Sequence, residues 1–248
     1  MTTTMSVTFG LVSVPVLVSP ATQEHRVRLH EVHRSDRGRI RHRRVCELED
    51  REVPWTDVAR GAEMPDGTLA VLDDADLERL PLPTRHVIEV LGFVSADTVD
   101  PISYQRAYYA RPAGPAAERP YEVLVAALAR TGLVGIAKTA LRSRERLAVL
   151  YPRHGVLVVH TVFWPDEIRE PGLAPAGPVT ERELELAELL LNRMQGIDAR
   201  AVHDDYAEAL HQLVAALSAG QELAAPAEPS GALPDLMAAL EASIRAAR

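Results

Sequence analysis

The chain has 248 residues, a formal net charge of −8, 47 % hydrophobic residues, 4 % aromatic residues and a single cysteine. Such a chain is too apolar to be disordered and too long to rely on staples, so a hydrophobic core must carry the fold. Cys46 alone offers neither a disulfide framework nor a zinc anchor, and few rings are available for a binder that works by stacking single-stranded bases.

The opening MTTTMSVTFG lacks a basic region followed by a long apolar run, and no later segment is apolar enough to span a membrane. No signal peptide and no membrane partner are therefore expected, and the lone cysteine suits a reducing cytoplasm. SVTFGLVSVPVLVS alternates apolar with small or polar residues and predicts strand, with a break at Pro15.

RVRLHEVH and RIRHRRVCE then flank SDRG, which predicts a hairpin. Between His25 and Cys46 stand eight arginines and two carboxylates, a local charge of +6 that leaves −14 to the rest of the chain. In a continuous second strand, Arg39, Arg41 and Arg43 would share one face. Nearly all basic chemistry falls to arginine, because Lys138 is the only lysine. The guanidinium presents a fixed fork of donors suited to phosphate.

DDADLERL predicts a short helix capped by Asp73, which accounts for Asp73, Asp74 and Asp76 without a magnesium site. HVIEVLGFVS, SYQRAYYAR, VGIAKTALR and the pair ERLAVLYP and GVLVVHTVFW around PRHG continue the strand pattern. A helix is expected over 121–132, ending at Gly132. Many strands with few helices predict an α+β, mainly β chain built on a barrel or strongly curved sheet, antiparallel in the main. Lys138, Arg142, Arg144 and Arg146 are an even number of residues apart, so a continuous strand would set them on one face. Trp55, Tyr108, Tyr109 and Trp164 are read as core or interface packing.

Past Trp164 a proline-rich connector leads to Thr180 and Glu183, a capping-box pair ahead of ELELAELLLNRM. The leucines of that helix nearly encircle it, which suits docking on a partner or within its own chain. A second helix is expected to stop near Gly220, and a short terminal one to begin near Pro234. The expected divisions are a β core with a bridge at 1–165, a helical arm at 166–222, and a linker with terminal helix at 223–248. No nucleophile elbow, phosphate loop or paired-carboxylate pattern points to an enzyme.

FGLVSVPV, LHEVHRSDRGRIRHRRVCE, EVPWTDVARG, VLDDADLERLPLP, IEVLGFV, DPISYQRAYYARP, GIAKTALRSRERLAVLYP, LVVHTVFWPDEIR and the helical strings follow one another in an order that resembles the bacterial Ku family of non-homologous end joining. The resemblance covers nearly the whole chain. It implies a β-barrel with a bridging arm and C-terminal helices. It also implies a non-enzymatic homodimer, without cofactor or metal, that rings the ends of double-stranded DNA and recruits an ATP-dependent ligase, ligase D, near the nucleoid. Phosphate contacts would then fall to Arg34, Arg37, Arg39, Arg41, Arg43 and Arg44, with Lys138, Arg142, Arg144 and Arg146 as the second group. MTTTMSV stands where members usually carry an arginine and a Trp–Gly pair, and no lysine-rich tail follows EASIRAAR, so tail-mediated DNA binding is not expected. Two alternatives stay open on the residues alone: a general nucleic-acid-binding barrel, and a paralogue that works through protein contacts.

Overall fold

The computed structural model describes residues 2–23, 29–80, 84, 86–141, 144–172, 177–221 and 236–246. The chain divides into two compact units, one of Met1–Glu24 with His30–Glu170, the other of His25–Leu29 with Pro171–Arg248.

The first unit opens with β1 (Thr3–Phe9) and β2 (Val12–Pro20), paired over a tight turn in which Gly10 has φ 57°. The strand expected to break at Pro15 runs through it. The Pro15 carbonyl accepts from the Ala113 amide at 3.0 Å, at the end of the β2–β8 ladder, so the missing proline N–H costs only a terminal bond. An arm follows, carrying β3 (Val45–Cys46), β4 (Arg51–Glu52), β5 (Arg60–Glu63), β6 (Leu69–Leu72) and the one-turn helix α1 (Asp74–Glu78), which Asp73 caps by accepting from the Asp76 amide at 2.7 Å. The β5–β6 hairpin was not legible in its sequence, RGAE and LAVL.

β7 (Val87–Ser95), β8 (Tyr104–Pro112), α2 (Pro115–Thr131), β9 (Leu133–Leu141), β10 (Arg144–Arg153) and β11 (Val156–Val162) complete the unit. Seven strands close a barrel in the order β1-β2-β8-β11-β10-β9-β7. All neighbours are antiparallel except β1 and β7, which the whole arm separates in sequence. The β10–β11 turn uses His154 and Gly155, both at positive φ, as a two-residue hairpin loop requires.

Val7, Val14, Val16, Ile88, Ala110, Ala137, Ala148, Leu150, Leu157 and Val159 fill the barrel and are almost fully buried. Tyr121, Leu124, Val125 and Leu128 of α2 join the same cluster, so this helix closes the end at which β8 stops and β9 starts. It begins at Pro115, six residues earlier than its apolar spacing indicates, because proline is preorganised for the first turn. The Tyr121 hydroxyl accepts from the Leu157 amide at 2.8 Å and donates to the Ala110 carbonyl at 2.7 Å, which ties the helix into the β8–β11 ladder. A second cluster, of Val134, Val149 and Val162 with Val99 and Tyr104 packed on it, covers the outer face of β9, β10 and β11.

In the second unit, α3 (Glu181–Arg193) starts with the full capping box: Thr180 N–H donates to Glu183 at 2.7 Å, and Glu183 N–H to the Thr180 hydroxyl at 3.3 Å. The Thr180 hydroxyl, which donates to the Glu183 carboxylate at 2.6 Å, and the Thr180 N–H together lower that carboxyl from its ordinary value. α4 (Asp205–Ser218) is capped by Asp204, and α5 (Leu236–Ala246) packs on α3 through a bond from the Arg193 guanidinium to the Ile244 carbonyl. Leu186 is buried, while Leu184, Leu189 and Leu191 are exposed. Pro234 lies outside the described residues. No helix is long and apolar enough to cross a membrane.

Candidate nucleic-acid interface

No described side chain of the arm from residue 29 to 80 is buried. Its two ladders and single-turn helix therefore stand without a hydrophobic core of their own. The arginine-rich hairpin is smaller than its sequence suggests. Val32 and Arg39 form an isolated bridge, flanked by bonds from His33 N–H to Gly38 O at 2.8 Å and from Ile40 N–H to Glu31 O at 3.0 Å. Beyond Ile40 the second limb leaves the first. Val45 and Cys46 pair instead with Glu52 and Arg51. No continuous strand joins Arg39, Arg41 and Arg43, so the expectation that they share one strand face is corrected. The competing pairing to residues 51–52 captured the end of the limb.

The turn itself is well made. Asp36 accepts from the Gly38 amide at 2.8 Å and sits 3.1 Å from His33, and these hydrogen bonds lower its carboxyl from the ordinary value. Arg37 occupies the left-handed region at φ 60°. The first limb before Leu29 lies outside the described residues.

The arm's arginines are not equivalent. Arg43 pairs with Glu52 at 3.1 Å, and Arg44 lies over the Trp55 ring at 4.3 Å. Trp55 is 70 % exposed, so it is no part of the core of this chain: it is a surface ring carrying a guanidinium on one side. Among the described residues Arg34, Arg37, Arg39 and Arg41 have no carboxylate within ion-pair distance. The nearby His42 takes up Glu31 at 2.8 Å.

The second basic group divides between two faces. Lys138 and Arg146 lie on two separate strands, and the register of β9 and β10 sets Arg146 opposite Thr139, Arg144 opposite Leu141, and Lys138 opposite Leu147. Arg144 and Arg146 thus share the barrel's inner face with Ala137 and Ala148, at the end away from α2, where inward side chains splay into the mouth. Lys138 is on the outer face, 4.0 Å from Glu145 and 5.6 Å from the Trp164 ring centroid. Arg142 lies outside the described residues.

A residue that sequence reasoning missed joins Arg146. His160 pairs with Ala107 but Val162 with Tyr104, so two residues of β8, Gln105 and Arg106, stand against Thr161. Such a bulge re-aims side chains. The Arg106 amide donates to the Thr161 hydroxyl at 3.2 Å, and Arg146 donates to Gln105 Oε1 at 2.8 Å. Tyr104, Gln105, Arg106, Tyr108, Arg146, Thr161 and Phe163 line a cavity of about 670 Å³ at this mouth. The only hint in the sequence is the polar pair Gln–Arg inside an otherwise aromatic strand, SYQRAYYAR.

Chain direction ties the two basic regions together. β2 ends at Pro20 and β7 starts at Val87, both at the mouth end, so the arm leaves and rejoins the barrel beside Arg106, Arg144 and Arg146. The family model described as the Ku70/Ku80 beta-barrel domain matches residues 8–186. The chain belongs to the Ku family. It is 44 % identical over 249 residues to a non-homologous end joining protein Ku of Streptomyces griseus and 46 % identical over 248 residues to one of Frankia casuarinae. Both alignments cover 98 % of the present chain, which spans 63 % and 62 % of those two relatives. A Mycobacterium tuberculosis protein of the same name is 38 % identical over 262 residues, 98 % of this chain and 94 % of its own. The matched stretch takes in the Ku barrel from the end of β1 onward, the whole arm and the start of α3.

Proposed function

We propose that this Ku-family chain binds double-stranded DNA ends without sequence preference in non-homologous end joining. In this reading it acts as a ring-shaped homodimer near the nucleoid in the cytoplasm, without catalysis of its own, and recruits an ATP-dependent ligase, ligase D. One observation carries it: arginines without carboxylate partners among the described residues gather on a coreless arm and on the barrel mouth from which that arm springs. An arm that cannot bury its own apolar surface is suited to be held by what it encloses. Arginine contacts to phosphate give affinity without base information, which suits breaks at any sequence. The proposed contacts are Arg34, Arg37, Arg39, Arg41, Arg43 and Arg44 on the arm, with Arg106, Arg144 and Arg146 at the mouth. The net charge of −8 keeps other surfaces from loose contact with nucleic acid.

A self-complementary surface is needed for a two-fold ring. Exposed Leu184, Leu189 and Leu191 on α3, with Leu213, Val214 and Leu217 on α4, are the apolar candidates for it. The test is a gel-shift comparison of one duplex in linear form and as a relaxed closed circle, at matched salt. Retention of the linear form against excess circle is expected. Equal retention of both would replace end binding with surface binding, and retention of neither would favour a module acting through protein contacts.

A further inference from the structure

The cavity at the barrel mouth is too roomy for a lone backbone phosphate. Its volume of about 670 Å³ falls in the range of small-ligand pockets. Its lining is also divided by chemistry. Tyr108 and Phe163 supply aromatic wall, Arg106 and Arg146 supply cationic forks, and Gln105 supplies a neutral amide. Among the described residues Arg106 has no carboxylate within ion-pair distance, and Arg146 is engaged only by the neutral Gln105. The two forks are therefore uncompensated. The bulge that turns Gln105 and Arg106 together toward Thr161 is what builds this lining.

We propose that this pocket is a nucleotide site, with Arg106 and Arg146 on a phosphate and the aromatic wall against a base. Resting on the DNA-end reading above, it would take an unpaired nucleotide from a strand that overhangs the duplex, since stacking on aromatic rings is tolerant of base identity. The same chemistry would also accept a free nucleoside monophosphate, and the two sources are separable by experiment.

Two measurements on the full chain test it. In the first, duplexes carrying 5-iodouridine as a single unpaired terminal nucleotide are irradiated with the protein, and adducts are mapped by mass spectrometry. In the second, equilibrium dialysis follows adenosine 5′-monophosphate. Adducts on Tyr108 or Phe163 without retention of free AMP are expected, and they assign the pocket to an overhanging strand. AMP retention that excess overhang duplex competes away would assign it to nucleotides from either source. Arg106→Gln, an exposed position that should leave the barrel folded, is expected to lower whichever signal is seen by at least about tenfold. If neither adducts in the pocket nor AMP retention appear while the gel shift still shows bound duplex, the nucleotide site is overturned and the end-binding reading stands. If no duplex is bound at all, the end-binding reading fails, and dialysis alone decides the pocket.

Discussion

Arg146 and Lys138 lie on opposite faces of one hairpin: Arg146 stands across the ladder from Thr139 and turns to the barrel mouth, while Lys138 stands across from Leu147 beside Glu145. The first expected outcome follows from this difference. Arg146→Ala should weaken binding to duplexes of any sequence and reduce the slope of log affinity against log salt by about 0.9, the value for one neutralised phosphate. Lys138→Ala should leave the slope within error. Salt titrations of the two variants by fluorescence anisotropy decide it, and a larger slope change for Lys138→Ala would reverse the assignment of faces.

The arm's arginines should also rank by their partners. Arg39→Ala with Arg41→Ala removes two guanidiniums that no described carboxylate holds, so the slope should fall by about 1.8. Arg43→Ala removes one that Glu52 already partly neutralises, and its effect should be smaller than that of either single change. The same titration, run on two unrelated duplexes, should show equal losses on both, since phosphate contacts carry no base information.

Tyr121→Phe should destabilise the barrel without touching the basic regions. The hydroxyl serves a buried amide and a buried carbonyl, at Leu157 and Ala110, and phenylalanine leaves both unmet. A loss of about 2 to 4 kcal/mol is expected in urea denaturation. A loss below half a kcal/mol would mean that the β8–β11 ladder closes over the gap on its own.

The outer face holds a pH-sensitive group. His160 lies 4.5 Å, ring to ring, from Tyr104 and 3.1 Å from the Tyr151 hydroxyl, and burial lowers its pKa below the ordinary 6.5. A lowered folded value means that the unfolded chain binds the proton more readily. Stability should therefore fall as pH drops below about 6.5, and the loss should be complete once pH is below the folded value. His160→Gln should flatten that limb in thermal melts between pH 7.5 and 5. An unchanged limb would place the sensitivity elsewhere.

Much of this protein was legible in its sequence. Alternating valines in SVTFGLVSVPVLVS fold inward at Val7, Val14 and Val16, because period two is the property of a strand with one buried face. Asp73, Gly132, and Thr180 with Glu183 mark helix ends through local bonds that need no distant partner. The basic stretch from His25 to Cys46 and the Ku resemblance likewise stand on the chain alone.

The tertiary structure decided the rest, because pairing is not a local property. LVGIAKTAL and LAVLYP are apolar on both faces, so nothing in them says that Lys138 and Arg146 part company; the register of the hairpin does. Residues 39–43 alternate as a strand would, yet no neighbouring chain extends a ladder along them, and the end of the limb pairs with residues 51–52 instead. Arg106 reaches the mouth only because β8 takes one residue more than β11 at Thr161, a mismatch that exists only once the two strands lie side by side.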